Sequence, residues 1–190
     1  MLNNFKGTHY RLADNWFGFI NIDDYQFKPI NYLEIGSFYG ANAISVGETY
    51  AKDYNSKIFC IDPYEDYDEY DEYKNRQEEI YNTLNENIQN SGFSHKFNLI
   101  RGYSHNEVHK MNDQNFDIIY IDGNHNPEYV LEDAVLSFRK LKNGGIMIFD
   151  DYGWGGDDMT KKGVDCFIST YSKKITYLGE KNSQVFIRKL

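Results

Sequence analysis

Apolar and polar positions follow two rhythms along this chain. Tyr32–Ile35, Lys57–Ile61, Phe97–Arg101, Phe116–Ile121 and Ile146–Phe149 are short apolar runs, with the length and side-chain types of strands. Between them apolar residues recur at helical spacing. Ile80, Leu84 and Ile88 do so within 74–90, and Val130, Leu131, Ala134, Val135 and Phe138 within 128–141. Further helices are expected over 41–54, 104–111 and about 162–171. Pro127 opens one helix and Asn143-Gly144-Gly145 stops it. Ile175–Leu178 and Val185–Arg188 read as a closing hairpin. Strand and helix alternate throughout, with neither repeat nor linker. This predicts one α/β domain over 1–190, with three layers around a mostly parallel seven-stranded sheet that ends in an antiparallel hairpin. Within the first 29 residues, Tyr10, Leu12, Trp16, Phe17 and Ile20 predict an amphipathic helix over 8–21. It would serve either as a lid or as packing on the sheet edge.

Composition narrows the setting. At 190 residues the chain can bury the core of one domain. No apolar run reaches membrane-span length, and the N-terminus lacks the pattern of a signal peptide, so a cytoplasmic protein is expected. Cys60 and Cys166 read as core thiols of such a protein. The net charge of −9, with no cluster of Lys and Arg, argues against a nucleic-acid partner.

Candidate chemistry begins at Asn31–Ala43, a strand, a glycine turn and a helix start. Such a turn opens the ligand site of an open parallel sheet. Phe38 stands where a dinucleotide fingerprint needs its middle glycine, so a pyrophosphate would be crowded. A P-loop Lys-Ser or Lys-Thr is also missing. Glu34, two residues before Gly36, disfavours phosphate and suits a cationic group. S-adenosylmethionine carries a sulfonium and an ammonium and no phosphate; an ordinary strand-to-helix turn is the alternative. Asp62, ending the second strand, is placed to accept ribose hydroxyls. Tyr64 would pack on an adenine or lie on the surface. The turn Gly102-Tyr-Ser-His105 ends the third strand, with Ser104 as a helix N-cap. Tyr64, Tyr67, Tyr70 and Tyr73 recur every third residue among acids, as a solvated connection or a substrate cover.

Two strand ends carry the remaining charge. Asp122 ends the fourth strand; Asp150 and Asp151 end the fifth. Carboxylates converging there would repel one another, and Mg²⁺ or another divalent cation resolves that repulsion. His125 follows Asp122 by three residues, and its neutral form is available near neutral pH to take a proton. The alternative is a surface histidine capping its helix. The chemistry so expected is O-methyl transfer. The cation lowers the pKa of a substrate hydroxyl, His125 removes the proton, and the protein positions oxygen and methyl in line.

Leu33-Glu-Ile-Gly-Ser-Phe-Tyr-Gly40, Ile61-Asp-Pro-Tyr64, Ile119-Tyr-Ile-Asp-Gly-Asn-His125 and Gly144-Gly-Ile-Met-Ile-Phe-Asp-Asp-Tyr152 occur in this order. As a set they resemble the metal-dependent class I O-methyltransferases, above all the branch of macrocin-type and mycinamicin-type sugar enzymes. The resemblance implies a Rossmann-like methyltransferase fold. It implies Mg²⁺ on Asp122, Asp150 and Asp151 and a base at His125, where the catechol enzymes have Lys. It implies cofactor contacts from Glu34, Gly36 and Asn42 at the methionine end, with Ser37 in the same turn and Asp122 nearby. Asp62 is implied at the ribose, and Gly102, Ser104 and His105 at the adenine edge. The implied partner is a small hydroxylated molecule, a sugar or glycan first, with a homo-oligomer left open. A metal-independent methyltransferase, and a non-catalytic S-adenosylmethionine-binding protein with a protein partner, are the alternatives.

Overall fold

The computed structural model describes residues 5–8 and 12–190, with the backbone alone at Leu12. Its strands are β1 Asn31–Ile35, β2 Lys57–Asp62, β3 Phe97–Arg101, β4 Phe116–Ile121, β5 Leu141–Phe149, β6 Ile175–Lys181 and β7 Gln184–Lys189. They form one sheet in the order β3-β2-β1-β4-β5-β7-β6. The first five strands pair in parallel; β7 runs antiparallel to β5, and β6 to β7. This is the expected Rossmann-like methyltransferase architecture. Its helices are α1 Ala41–Glu48, α2 Gln77–Asn90, α3 Ser104–Glu107, α4 Pro127–Lys140 and α5 Thr160–Tyr171. None of the described helices is long and apolar enough to cross a membrane.

Alternation along the strands divides the core. Leu33, Ile35, Ile119, Ile121, Met147 and Phe149 face α4 and α5, packing on Val130, Ala134, Phe138, Val164 and Phe167. Tyr32, Ile58, Cys60, Ile118, Tyr120 and Ile148 point the other way, onto Ala43 and Val46 of α1 and onto Trp16 and Ile20. The α2 residues Ile80, Leu84 and Ile88 extend that second layer against Ile44 and Tyr39.

The N-terminal segment differs from the expected helix. Residues 9–11, with Tyr10, lie outside the described residues. Beyond them the chain forms two 3-10 helices, Leu12–Gly18 and Ile22–Asp24. The Trp16 indole is fully buried, 5.5 Å from the rings of both Tyr50 and Tyr120. A tight 3-10 turn lets Ala13, Trp16 and Ile20 all reach the sheet, so this segment fills the second layer beside α1. Three further boundaries move. α1 stops at Glu48 rather than near Tyr54, because the chain turns to drive Tyr50 and Ala51 into the core. β5 starts at Leu141, directly after α4; a bulge absorbs 142–145 before Ile146 pairs with Ile118. Cys60 is buried as expected, whereas Cys166 is exposed. The inner face of α5 is taken by Gly163, Val164 and Phe167, and Cys166 lies off that stripe.

β1 and β4 are neighbours in the sheet but not in sequence. Successive crossovers leave the sheet in opposite directions there. The C-terminal ends of these strands therefore flank a crevice, the general ligand position in open α/β sheets.

Candidate active site

The crevice is a cleft of about 560 Å³. Its floor is the glycine turn after β1. Gly36 (φ +82°) lies so close to β4 that an added Cβ would stand 1.8 Å from the Asp122 carbonyl oxygen. That glycine is required by strand packing, besides lining the cleft. The Asp62 carboxylate holds the turn: one oxygen accepts the Ser37 and Phe38 N–H groups at 2.9 and 3.0 Å, the other the Tyr64 N–H at 3.1 Å. Burial nevertheless pushes the Asp62 carboxyl up, against these three donors. Asp62 also lines the cleft, with lone pairs beyond those three bonds. Ser37 Oγ is buried without a hydrogen-bond partner among the described residues, beside the Cys60 thiol.

Two residues expected at the cofactor sit elsewhere. Glu34 and Asn42 are buried beneath the turn and do not line the cleft. Asn42 Nδ2 donates to Glu34 at 3.0 Å, and its carbonyl accepts the Ala13 N–H at 2.9 Å. The Tyr32 hydroxyl also donates to Glu34, as does the Ala43 N–H in the first turn of α1. Glu34 thus caps α1 from a distance; Gly40, at the N-cap position, has no side chain to do so. Burial outweighs the donors and raises the Glu34 carboxyl to about 8. Tyr64 lines the cleft and is not a surface residue. It is buried at φ +50°, with its hydroxyl donating to the Phe38 carbonyl at 3.0 Å.

The far wall comes from β3 and α4. Gly102, Ser104 and His105 line it, the last with its ring stacked on Tyr103. Tyr103, not Ser104, occupies the N-cap of α3, and the Ser104 hydroxyl turns to Asp133 instead.

At the strand ends, oxygen or nitrogen atoms of Asp122, His125 and Asp151 lie within 4.8 Å of one another. Asp150 is not in that group. It continues the alternation of β5, so its carboxylate turns back under the sheet end. There it accepts from the Tyr120 hydroxyl, which takes a hydrogen bond from Gln184. Asp151 enters the left-handed region at φ +52°, which an aspartate tolerates, and so swings its carboxylate into the cleft. Burial, then the neighbouring charges of Asp150 and Asp151, lift the Asp122 carboxyl well above the usual carboxylate range. Burial also raises Asp150, to about 6, against the Tyr120 hydrogen bond. Crowded carboxyls of this kind are the donor set of a hard divalent cation, so Asp122 and Asp151 fit one.

His125 is buried between two carboxylates. Nδ1 faces Glu69 at 2.6 Å and Nε2 faces Asp151 at 2.9 Å, while the Trp154 ring lies 4.5 Å away. Burial alone would lower the imidazole; hydrogen bonds to Asp151 and Glu69 outweigh it and the net shift is upward. The two carboxylates thus favour the imidazolium more than water would. Glu69 was not singled out from sequence. It belongs to the Tyr-rich acidic segment, of which Tyr67, Tyr70 and Tyr73 also line the cleft. A second depression, of about 640 Å³ near Tyr54 and Phe93, holds no such chemistry. Its Lys96 ammonium is taken up by the Ala51 and Lys52 carbonyls.

A family model described as a methyltransferase domain matches residues 33–152. An uncharacterized protein of Acanthamoeba polyphaga mimivirus is 29% identical over 148 residues, 76% of this chain, which spans 59% of that protein's length. Three solved structures share the fold. A Staphylococcus aureus protein provisionally described as a caffeoyl-CoA O-methyltransferase superposes with a TM-score of 0.69 at 16% identity, covering 100% of this chain and 88% of that one. An rRNA methylase from Streptococcus thermophilus gives 0.66 at 16% identity, over 97% and 99%. The methyltransferase MycE of the mycinamycin biosynthetic pathway, solved with Mg and SAH, gives 0.61 at 14% identity, over 98% and 51%.

Proposed function

The chain belongs to the methyltransferase domain family, and from that premise we propose that it moves a methyl group from S-adenosylmethionine to a hydroxyl of a small molecule, a sugar or glycan first. The observation that carries this reading is the meeting of Asp122, Asp151 and His125 in the same cleft as the Gly36 turn and Asp62. The turn and Asp62 would hold the cofactor; the Ser37 hydroxyl is buried behind the cleft. Asp122 and Asp151 would hold Mg²⁺ or another divalent cation, which supplies the positive charge that lowers the pKa of an alcohol. MycE, solved with Mg and SAH, supports that pairing of ligands.

The chain's own residues then do three things. Glu69 accepts the Nδ1–H of His125 and fixes the ring, and Trp154 packs against it. Nε2, the nitrogen facing Asp151, would take the acceptor's proton, and a cation held by Asp151 would free it for that role. Tyr67 and Tyr70 offer ring faces for the C–H surface of a sugar.

The charge of the cleft narrows the acceptor. Asp62, Glu65, Asp66, Glu69, Glu132 and Asp151 are among its lining, and no Lys or Arg of the described residues is. A neutral or amine-bearing acceptor suits that wall; a phosphorylated one, RNA included, would be repelled. The deciding experiment is methyl transfer from labelled S-adenosylmethionine to matched neutral, amine-bearing and phosphorylated sugars, with Mg²⁺ and with EDTA. Turnover of the first two, abolished by EDTA, is expected. Equal turnover in EDTA would leave a metal-independent enzyme. Cofactor binding without turnover of any hydroxyl compound would leave a binding protein.

A further inference from the structure

Gln184 is a fully buried polar side chain at the start of β7. It stands one residue beyond the Phe149–Val185 pair, level with the point where β5 ends and Asp150 begins. A buried amide needs partners at both its ends. Its carbonyl oxygen accepts the Trp16 indole N–H at 3.2 Å, and its NH₂ group donates to the Tyr120 hydroxyl oxygen at 3.1 Å. That hydroxyl donates in turn to Asp150. Trp16 and Tyr120 are fully buried too, with their rings 5.5 Å apart. A chain of three hydrogen bonds therefore runs from the N-terminal 3-10 segment to the carboxylate beside Asp151.

The chemistry of its two ends gives this chain one direction. An indole N–H can only donate, and an ionised carboxylate can only accept. The Gln184 amide must therefore turn its oxygen to Trp16 and its NH₂ to Tyr120. With its oxygen accepting from Gln184, the single Tyr120 proton points to Asp150. Reversing a link would leave a buried donor or acceptor unpaired. We propose that Gln184, its amide set by Trp16, is a positioning residue of the cation site: through Tyr120 it ties Asp150 beneath the sheet end and leaves Asp122 and Asp151 as the carboxylates that hold the cation. The inference rests on the cation reading above. A cation of the Mg²⁺ type keeps positions open for water and substrate, and a third carboxylate would take one of them. The Asp150 charge already acts strongly on Asp122, so an untied Asp150 lies within reach of the cation. Untying it should tighten the cation and crowd out the acceptor's oxygen.

The test is calorimetric titration of Mn²⁺ into the full chain as wild type, Tyr120→Phe, Gln184→Met and Trp16→Phe, each with and without Asp150→Asn. In the wild type, Asp150→Asn should change the affinity by less than about threefold, because Asp150 is tied away. Tyr120→Phe deletes the tie and should tighten Mn²⁺ by about tenfold, a gain that adding Asp150→Asn abolishes. Gln184→Met keeps the side-chain length but loses the amide, and Trp16→Phe frees the amide to turn; both should move the affinity the same way by about threefold or more. A structural role alone would loosen the site and leave the effect of Asp150→Asn equal in every background. Melting curves establish that each variant folds, and Trp16→Phe carries the test if Gln184→Met does not. Unchanged or weaker Mn²⁺ binding in the folded Gln184 and Trp16 variants would overturn the assignment, as would a gain that survives Asp150→Asn. A wild type that loses tenfold on Asp150→Asn alone would also overturn it. Absence of Mn²⁺ binding by the wild type would instead overturn the cation reading itself.

Discussion

Replacing Gly36 by alanine tests whether the glycine turn is dictated by strand packing or only by local backbone conformation. Two costs can be separated. The first is placing an L-residue at φ +82°, about 1–2 kcal/mol. The second is steric. The new Cβ would stand 1.8 Å from the Asp122 carbonyl oxygen, where a carbon–oxygen contact needs about 3.3 Å. Neither backbone can retreat cheaply, because the Gly36 N–H donates to Ile61 and the Asp122 N–H to Ile35, both at 2.9 Å. Losing these two bonds adds about 1–3 kcal/mol, for a total of about 2–5 kcal/mol. Gly92 provides the control: its φ is +84° and nothing lies within 4 Å of its Cβ position, so Gly92→Ala carries the first cost alone. At about 2–4 °C per kcal/mol for a chain of this size, Gly92→Ala should melt about 2–8 °C below wild type and Gly36→Ala about 4–20 °C below. Differential scanning calorimetry of the pair measures the difference, and S-adenosylhomocysteine titration should show weakened binding for Gly36→Ala alone. If the two variants melt within about 2 °C of each other and bind equally, the packing argument is wrong.

Other consequences are as direct. Asp151→Asn should weaken Mn²⁺ binding on the order of tenfold or more by calorimetry, whereas Asp150→Asn should change it much less, since its carboxylate is engaged by Tyr120; the reverse ranking would reassign the cation group. Glu34 gives a pH signature. Its folded pKa, about 8, is raised above the ordinary 4.5, so the folded state holds a proton that the unfolded state releases. That contribution is complete below about pH 4.5 and is lost as pH rises toward 8. Relative to Glu34→Gln, which cannot ionise, the wild type should therefore lose stability across pH 5–8 in thermal melts; parallel curves would show Glu34 is not buried as described. Trp16→Phe removes the indole N–H donor to Gln184 and leaves a buried acceptor unpaired. About 1–3 kcal/mol of destabilisation is expected, read as a melting temperature roughly 2–12 °C lower; an unchanged melt would refute that bond.

Much of this protein is local in origin and therefore legible along the chain. Apolar runs marked the strands and apolar spacing marked α2 and α4, because whichever face a segment buries is written in its own spacing. The strand ends that frame the cleft followed, and with them Asp62, Asp122, Asp151 and His125. What depends on partners distant in sequence was not legible. Glu34 and Asn42 sit in the expected motif, but Tyr32 and the N-terminal turn claim them below the cleft. Asp150 and Asp151 are adjacent in sequence, and only strand alternation followed by a left-handed residue sends one to Tyr120 and the other to His125. The Glu69–His125 contact joins residues 56 apart, and Asp133 meets Ser104 only when α4 lies against the end of β3. Sequence alone determined the fold class and the cleft's position, since both arise from patterns within single segments. The tertiary structure decided which carboxylates face the cleft and which brace it, because a side chain's direction at a strand end is set by whatever the neighbouring elements bring to meet it.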